Sequence, residues 1–159
     1  GDHPFMKNLA DDLCINTGVA GPVLAQMSRL YDKYRCCIVA IEEVPHDEVY
    51  KYGVIAGSEL EEGVYVISDM VEKPAPEDAP SNMAIIGRYI LTPDIFDYIR
   101  DTKPGANGEI QLTDALLAQA KNGCVMAYKF KGRRFDCGSL HGYVEATNYC
   151  YEKFHDPSE

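Results

Sequence analysis

The spacing of apolar residues predicts four helices. From residue 22 to 34, apolar side chains recur every three or four positions and would form one helix face, with Pro22 in the first turn. A short second helix follows Thr92-Pro93-Asp94, where Thr92 can act as the N-cap. The remaining two helices are expected over 109–122 and 140–154.

Apolar runs without helical spacing predict the strands. Cys36 to Val44 is an apolar run that fits a strand covered on both faces. Phe5 to Leu13 and Val125 to Phe130 are expected to be further strands. Glu61-Glu62-Gly63 predicts a hairpin turn into the strand that begins at Val64.

Strands and helices therefore alternate along the chain, which has the length of one domain. We predict a single α/β domain over 1–159, with a mixed, mainly parallel sheet flanked by helices. The hairpin at Gly63 would add an antiparallel part to that sheet.

Composition narrows the class of partner. The formal net charge of -10 argues against nucleic acid or an anionic membrane, although a lysine and a metal ion could still attract a phosphorylated ligand. No apolar run approaches the roughly 18 residues of a transmembrane helix, and the first residues lack the pattern of a signal peptide. The six cysteines contain no Cys-x-x-Cys pair, which argues against zinc and favours a reducing cytoplasm.

The stretch with the clearest chemistry is Glu72-Lys73-Pro74, at the end of a predicted strand. Neighbouring strand residues point to opposite faces, but the Lys-Pro step can break that alternation and turn both side chains towards one ligand. A carboxylate accepts hydrogen bonds from hydroxyls and an ammonium group meets a phosphate, so the pair suits a sugar phosphate. The alternative is a surface ion pair at a strand end.

Two aspartates and two glycines complete the candidate site. Asp11 and Asp136 lie at predicted element ends and could bind Mg²⁺ together if the fold brings them close; otherwise they are turn or capping residues. Gly53 and Gly87 could admit a ligand close to the backbone, or they could serve turn geometry.

Five motifs cover almost the whole chain in order and nearly without gaps: LADDL (Leu9–Leu13), YGV (Tyr52–Val54), MVEKPAPEDAPSNMAIIGRYIL (Met70–Leu91), PGANGEIQLTDAL (Pro104–Leu116) and FDCGSLHGY (Phe135–Tyr143). Together they resemble bacterial UTP–glucose-1-phosphate uridylyltransferases. The resemblance is specific, because the third and fourth motifs distinguish these enzymes from general sugar nucleotidyltransferases.

The resemblance implies the C-terminal part of a Rossmann-like nucleotidyltransferase domain. We also expect the protein to be cytoplasmic and a homo-oligomer. The reaction it implies is the Mg²⁺-dependent transfer of a uridylyl group from UTP to glucose 1-phosphate, giving UDP-glucose and pyrophosphate. The matching positions imply these roles: Mg²⁺ ligands for Asp11 and Asp136, a sugar-hydroxyl acceptor for Glu72, a catalytic sugar-phosphate lysine for Lys73, a backbone sugar contact for Gly53, and pocket-lining positions for Ile85 and Gly87.

The family's glycine-rich Gly-x-Gly-Thr-Arg phosphate loop does not occur in these residues. The chain is therefore expected to supply the sugar-phosphate and metal-binding half of the enzyme, and to be inactive alone. The alternatives are a catalytically inactive fragment that binds sugar phosphate or assembles with another chain, and a related enzyme that uses dTTP. The first strand is expected to lack neighbours, which would favour self-association.

Overall fold

Eight strands and four α-helices occur in residues 1–105 and 108–155, the part of the chain that the computed structural model describes. Ala106 and Asn107, within the fourth motif, lie outside it. The strands are β1 (Phe5–Asn8), β2 (Asp12–Ile15), β3 (Cys37–Glu43), β4 (Gly53–Glu61), β5 (Val64–Glu72), β6 (Met83–Leu91), β7 (Val125–Lys129) and β8 (Arg133–Asp136). The helices are α1 (Val23–Tyr34), α2 (Ile95–Asp101), α3 (Leu112–Asn122) and α4 (Leu140–Phe154).

Six strands form the main sheet in the order β1-β6-β3-β7-β5-β4. β4 also pairs with β6 through Val54 and Ala84, so the pairings of β6, β3, β7, β5 and β4 form a closed ring. The expected α/β class with a mixed sheet and flanking helices is confirmed.

The expectation of a mainly parallel sheet is wrong. Within the described residues only β3 and β7 pair in parallel, and every other pair is antiparallel. The reason is topological: the β4–β5 hairpin turns at Gly63, whose φ is +73°, and β6 returns antiparallel beside β3. Parallel pairing needs a long crossover connection, which the tight turn between β4 and β5 cannot provide.

The expected first strand, 5–13, is two strands in two sheets. β1 pairs with β6, whereas β2 forms a separate two-stranded sheet with β8. The turn between them is fixed on β6, because the Leu9 N–H donates to the Gly87 carbonyl at 2.8 Å and Arg88 Nη1 donates to the Leu9 carbonyl at 3.0 Å. This break places Asp11 in a turn and Asp12 at the start of β2.

Helices cover both faces of the main sheet. On one face Leu116 of α3 packs with Val39, Ile41 and Ile55, and on the other Met27 of α1 packs with Ile38 and its neighbours. β3 is thus buried on both sides, as its apolar run predicted.

The helix expected at 109–122 begins only at Leu112. Gln111 has extended backbone angles, and the Glu109 carbonyl accepts from the Gly105 N–H at 2.9 Å, so residues 109–111 are not helical. The predicted bounds of α1 and α4 agree with the structure. No helix among the described residues combines the length and apolarity needed to span a membrane, and all six cysteines are free thiols.

Candidate active site

A cleft of about 340 Å³ is lined by residues of both sheets and of α3. Every one of the candidate residues singled out from the sequence lies on its wall: Asp11, Gly53, Glu72, Lys73, Ile85, Gly87 and Asp136. The fold therefore brings together positions that are up to 125 residues apart in the chain.

Glu72 and Lys73 reach the cleft together because the strand ends between them. Glu72 is the last residue of β5 and pairs with Gly53, whereas Lys73 has a left-handed backbone with φ +48°. Its N–H donates to the Tyr52 carbonyl at 2.9 Å, and Pro74 follows. This conformation breaks the strand alternation, as the Lys-Pro step predicted. Left-handed backbone in a lysine costs about 1 kcal/mol or more.

The Glu72 carboxylate is oriented by a neighbour that sequence reasoning missed. Thr113, in the first turn of α3, donates its hydroxyl to Glu72 Oε2. A Cβ on Gly53 would lie 3.0 Å from Glu72 Oε2 and 3.2 Å from Thr113 Oγ1, so only glycine leaves this hydrogen bond undisturbed. The other carboxylate oxygen of Glu72 takes no part in this hydrogen bond.

Gly87 makes room for the protein rather than for a ligand. A Cβ there would lie 2.5 Å from Leu9 Cβ and 2.6 Å from Asp12 Oδ2, so its absence lets the turn after β1 pack on β6. Its N–H donates to Asp12 Oδ2 at 3.0 Å. Gly87 lines the cleft, and its main structural role is to hold the Asp12 side chain in place.

The two candidate metal ligands face one small space. Antiparallel pairing of β2 with β8 places Asp12 opposite Asp136, and the Cys137 N–H donates to the Asp11 carbonyl at 2.8 Å. The position that a Cβ on Gly138 would occupy lies 3.0 Å from Asp11 Oδ2 and 3.1 Å from Asp136 Oδ1. Glycine thus keeps open a cradle bounded by two carboxylate oxygens.

This cradle fits Mg²⁺. The ion prefers one or two carboxylates and completes its shell with substrate phosphates and water. Across residues 1–105 and 108–155, no cluster of three or more His, Cys, Asp or Glu side chains could hold a metal ion. Two carboxylates alone would leave most of the coordination shell of such an ion to water or to a ligand.

A buried ion pair beneath the cradle also escaped sequence reasoning. Asp12 Oδ1 accepts a hydrogen bond from Arg134 Nε, and both side chains are about nine-tenths buried. Desolvation lowers the pKa of Arg134, but the hydrogen bond to Tyr52 and the charge of Asp12 outweigh it, so the pKa is raised. Burial raises the pKa of the nearby Glu42, and Arg134 opposes that shift. The only sign of this ion pair in the sequence was that two aspartates are adjacent, Asp11-Asp12, and two arginines are adjacent, Arg133-Arg134.

An acid pair, a strand-end lysine and an oriented carboxylate thus surround one cleft of an α/β protein. The model of the nucleotidyl transferase family matches residues 2–153. The chain belongs to this family.

Individual members of the family show which of its enzymes this chain is similar to. A UTP–glucose-1-phosphate uridylyltransferase of Pseudomonas aeruginosa is 66% identical over 98% of this chain and 55% of its own length, and one of Streptococcus pyogenes is 45% identical over 92% and 49%. A crystal structure of UDP-glucose pyrophosphorylase complexed with UDP-glucose matches with a TM-score of 0.91 and 63% identity, over 96% of this chain and 58% of that one. The chain spans about half the length of the curated relatives it matches.

Proposed function

We propose that this chain supplies the sugar-phosphate and metal-binding half of a UTP–glucose-1-phosphate uridylyltransferase. The reaction transfers a uridylyl group from UTP to glucose 1-phosphate and yields UDP-glucose and pyrophosphate. The observation that carries the proposal is the convergence of all seven candidate residues on one cleft. The 66% identity to a relative of that name supports it.

In the proposed reaction a phosphate oxygen of glucose 1-phosphate attacks the α-phosphorus of UTP in line. A new O–P bond forms, and the bond from the α-phosphorus to the bridging oxygen breaks, so that pyrophosphate leaves. Little covalent chemistry falls to the protein, which positions the reactants and neutralises charge. Lys73 holds the sugar phosphate, Glu72 accepts hydrogen bonds from sugar hydroxyls, and the Gly53 backbone contacts the sugar.

Asp11 and Asp136 would hold Mg²⁺ in the cradle beside Gly138. The ion, when bound, neutralises charge on the phosphates. Ile85 and Tyr89 also line this cleft. Burial raises the pKa of Tyr89 to about 12, with smaller contributions from Glu72 and Asp12, so its phenol stays neutral beside the ligand.

The length of the match favours a second candidate. Because the chain spans 55% of its relative, a sugar-phosphate-binding or assembly fragment without catalysis is the main alternative. A nucleotidyltransferase that uses dTTP is the other.

The test uses a chimaera in which this chain is joined to the part of the Pseudomonas aeruginosa relative that it does not match. Pyrophosphate release is measured with glucose 1-phosphate, Mg²⁺ and either UTP or dTTP. We expect turnover with UTP, and little with dTTP. The isolated chain is expected to bind glucose 1-phosphate in calorimetry and to release no pyrophosphate.

Lys73→Met in the chimaera is expected to lower the rate about a hundredfold, because one charge-assisted contact to a developing phosphate charge is lost. Asp11→Asn and Asp136→Asn should each raise the Mg²⁺ concentration needed for half-maximal rate, with Asp101→Asn on α2 as the control. An active chimaera indifferent to all three substitutions would refute the assigned roles. An inactive chimaera whose chain still binds glucose 1-phosphate would favour the binding fragment.

A further inference from the structure

Arg134 contacts both sides of the cleft. On one side its Nε donates to Asp12 Oδ1, and on the other its Nη1 donates to the Tyr52 hydroxyl at 3.4 Å, with the guanidinium carbon 5.3 Å from the Tyr52 ring centre. Glu42 Oε2 lies 3.7 Å from the same Nη1. The side chain is only 10% exposed, so these contacts fix its position.

The Asp12–Arg134 pair is built into the strands that carry the acid pair. In the register of β2 and β8, Asp12 lies opposite Asp136 and Cys14 lies opposite Arg134, so the ion pair runs diagonally across the two strands. Asp12 directly follows Asp11, and Arg134 stands two residues before Asp136. Each partner is therefore covalently close to one of the two carboxylates of the cradle.

The second contact leads to Lys73. Tyr52, whose hydroxyl accepts from Arg134, uses its backbone carbonyl to accept the Lys73 N–H at 2.9 Å. That hydrogen bond holds Lys73 in the left-handed conformation that turns it towards the cleft. A set of contacts thus runs from Asp12, the neighbour of Asp11, through Arg134 and Tyr52 to Lys73.

The contacts of Arg134 argue against a role in binding phosphate directly. Two of its donors are occupied by Asp12 and Tyr52, and the carboxylates of Asp12 and Glu42 lie beside it, so its charge is already balanced. A planar guanidinium can make several directed hydrogen bonds at once, which suits it to fixing the distance between two walls.

We propose that Arg134 is a positioning residue, which couples the Asp11–Asp136 cradle to Lys73 so that metal and sugar phosphate bind at a fixed separation. The inference rests on the proposed function of the cleft. It concerns a residue that touches neither ligand and acts through Asp12 and Tyr52.

The test uses the 159-residue chain and two ligands: Mn²⁺, followed by its EPR signal as a substitute with the same oxygen ligands as Mg²⁺, and glucose 1-phosphate, followed by calorimetry. Arg134→Met removes the charge and roughly keeps the volume. We expect it to weaken Mn²⁺ binding about 10- to 100-fold, as loss of an outer partner of metal ligands does, and to weaken glucose 1-phosphate binding as well. Arg133→Met is the matched control, because its ion pair with Glu145 is exposed and outside the cleft.

A double variant separates positioning from stability. Arg134→Met alone leaves Asp12 as an uncompensated buried charge, and adding Asp12→Asn removes that charge. We expect the double variant to recover most of the melting temperature but neither affinity.

Recovery of both affinities together with the melting temperature would reduce Arg134 to a stabilising residue and overturn the proposal. Wild-type affinities in Arg134→Met would do the same. A wild-type chain that binds neither Mn²⁺ nor glucose 1-phosphate would instead overturn the proposed function, and the positioning role with it.

Discussion

Lys73 has an unfavourable backbone conformation, and its side chain is the proposed phosphate ligand of the site. Its φ of +48° is a conformation that glycine adopts without cost, and a lysine there is expected to persist only because its amine is useful. The same residue therefore lets the stability of the fold and the binding of phosphate be measured separately.

We expect Lys73→Gly to be more stable than Lys73→Ala by about 1 kcal/mol, because only glycine escapes the left-handed penalty. Both variants should lose glucose 1-phosphate affinity, since both lack the amine. Urea unfolding and calorimetry measure the two effects. Arg35→Gly is the matched control: Arg35 has φ +55° at the end of α1, outside the cleft, so this change should leave affinity intact. Equal stability of the two Lys73 variants would show that the backbone is unstrained.

Tyr89 gives the cleft a pH dependence with a defined sign. Burial, then the charges of Glu72 and Asp12, raises its pKa from 10.0 to about 12. Because the folded pKa lies above the unfolded one, its contribution to stability is complete below pH 10 and is lost as the pH rises through 12. Unfolding should therefore become easier by on the order of 2 kcal/mol across this interval from this group alone.

Tyr89→Phe should lack that part of the alkaline loss, whereas Tyr50→Phe, at an exposed tyrosine, should follow the wild type. Urea unfolding of the three proteins across the interval measures the difference. Parallel curves for Tyr89→Phe and wild type would refute the shift.

The sequence identified individual side chains of the site, but it did not identify the side chains that contact them in the fold. Glu72 and Lys73 could be found because a strand, a charged pair and a proline are adjacent in the chain. The contact of Asp12 with Arg134 joins residues 122 apart, and nothing local distinguished Asp12 from Asp11. Whether Asp11 meets Asp136 likewise depends on the pairing of β2 with β8, which no local pattern encodes.

Among the elements, local spacing predicted most helices and turns correctly, except for the start of α3, but it did not predict the division of the first strand or the direction of strand pairing. α1, α4 and the turn at Gly63 follow from helical period and turn chemistry. The division of the first strand follows from contacts of Leu9 with Gly87 and Arg88 on β6, far along the chain. The direction of strand pairing has the same non-local origin.

Gly63 shows how closely the β4–β5 turn is fixed. Its φ is +73°, and a Cβ there would lie 3.0 Å from the Lys129 carbonyl oxygen. We expect Gly63→Ala to lower the free energy of unfolding by about 1 kcal/mol more than Gly21→Ala. Gly21 has φ +77° but open space around it, so it isolates the backbone cost from the steric one. Chemical denaturation of both variants measures this, and equal losses would mean that the β7 backbone yields.

Across the molecule as a whole, two surfaces favour association while the net charge opposes it. Within the described residues β1 is at an edge of the main sheet and pairs only with β6. Along α4 an apolar stripe is exposed, with Leu140 82%, Tyr151 63% and Phe154 60% accessible. An exposed apolar stripe and an unpaired strand edge are both sites of protein association. The net charge of -10 repels copies of the chain at long range.

We therefore expect the chain to self-associate, and to do so more strongly as salt screens the repulsion. Light scattering over a series of concentrations and ionic strengths should give a mass above that of one chain, rising with salt. Tyr151→Lys combined with Phe154→Lys should lower that mass, because the stripe on α4 then carries charge. Val19→Lys is the control, because Val19 is fully exposed in the segment between β2 and α1 rather than on α4, and the change should alter the mass little. A single-chain mass under all these conditions would contradict the expectation of a homo-oligomer, and a mass that falls with salt would show that charge rather than the apolar stripe holds the copies together.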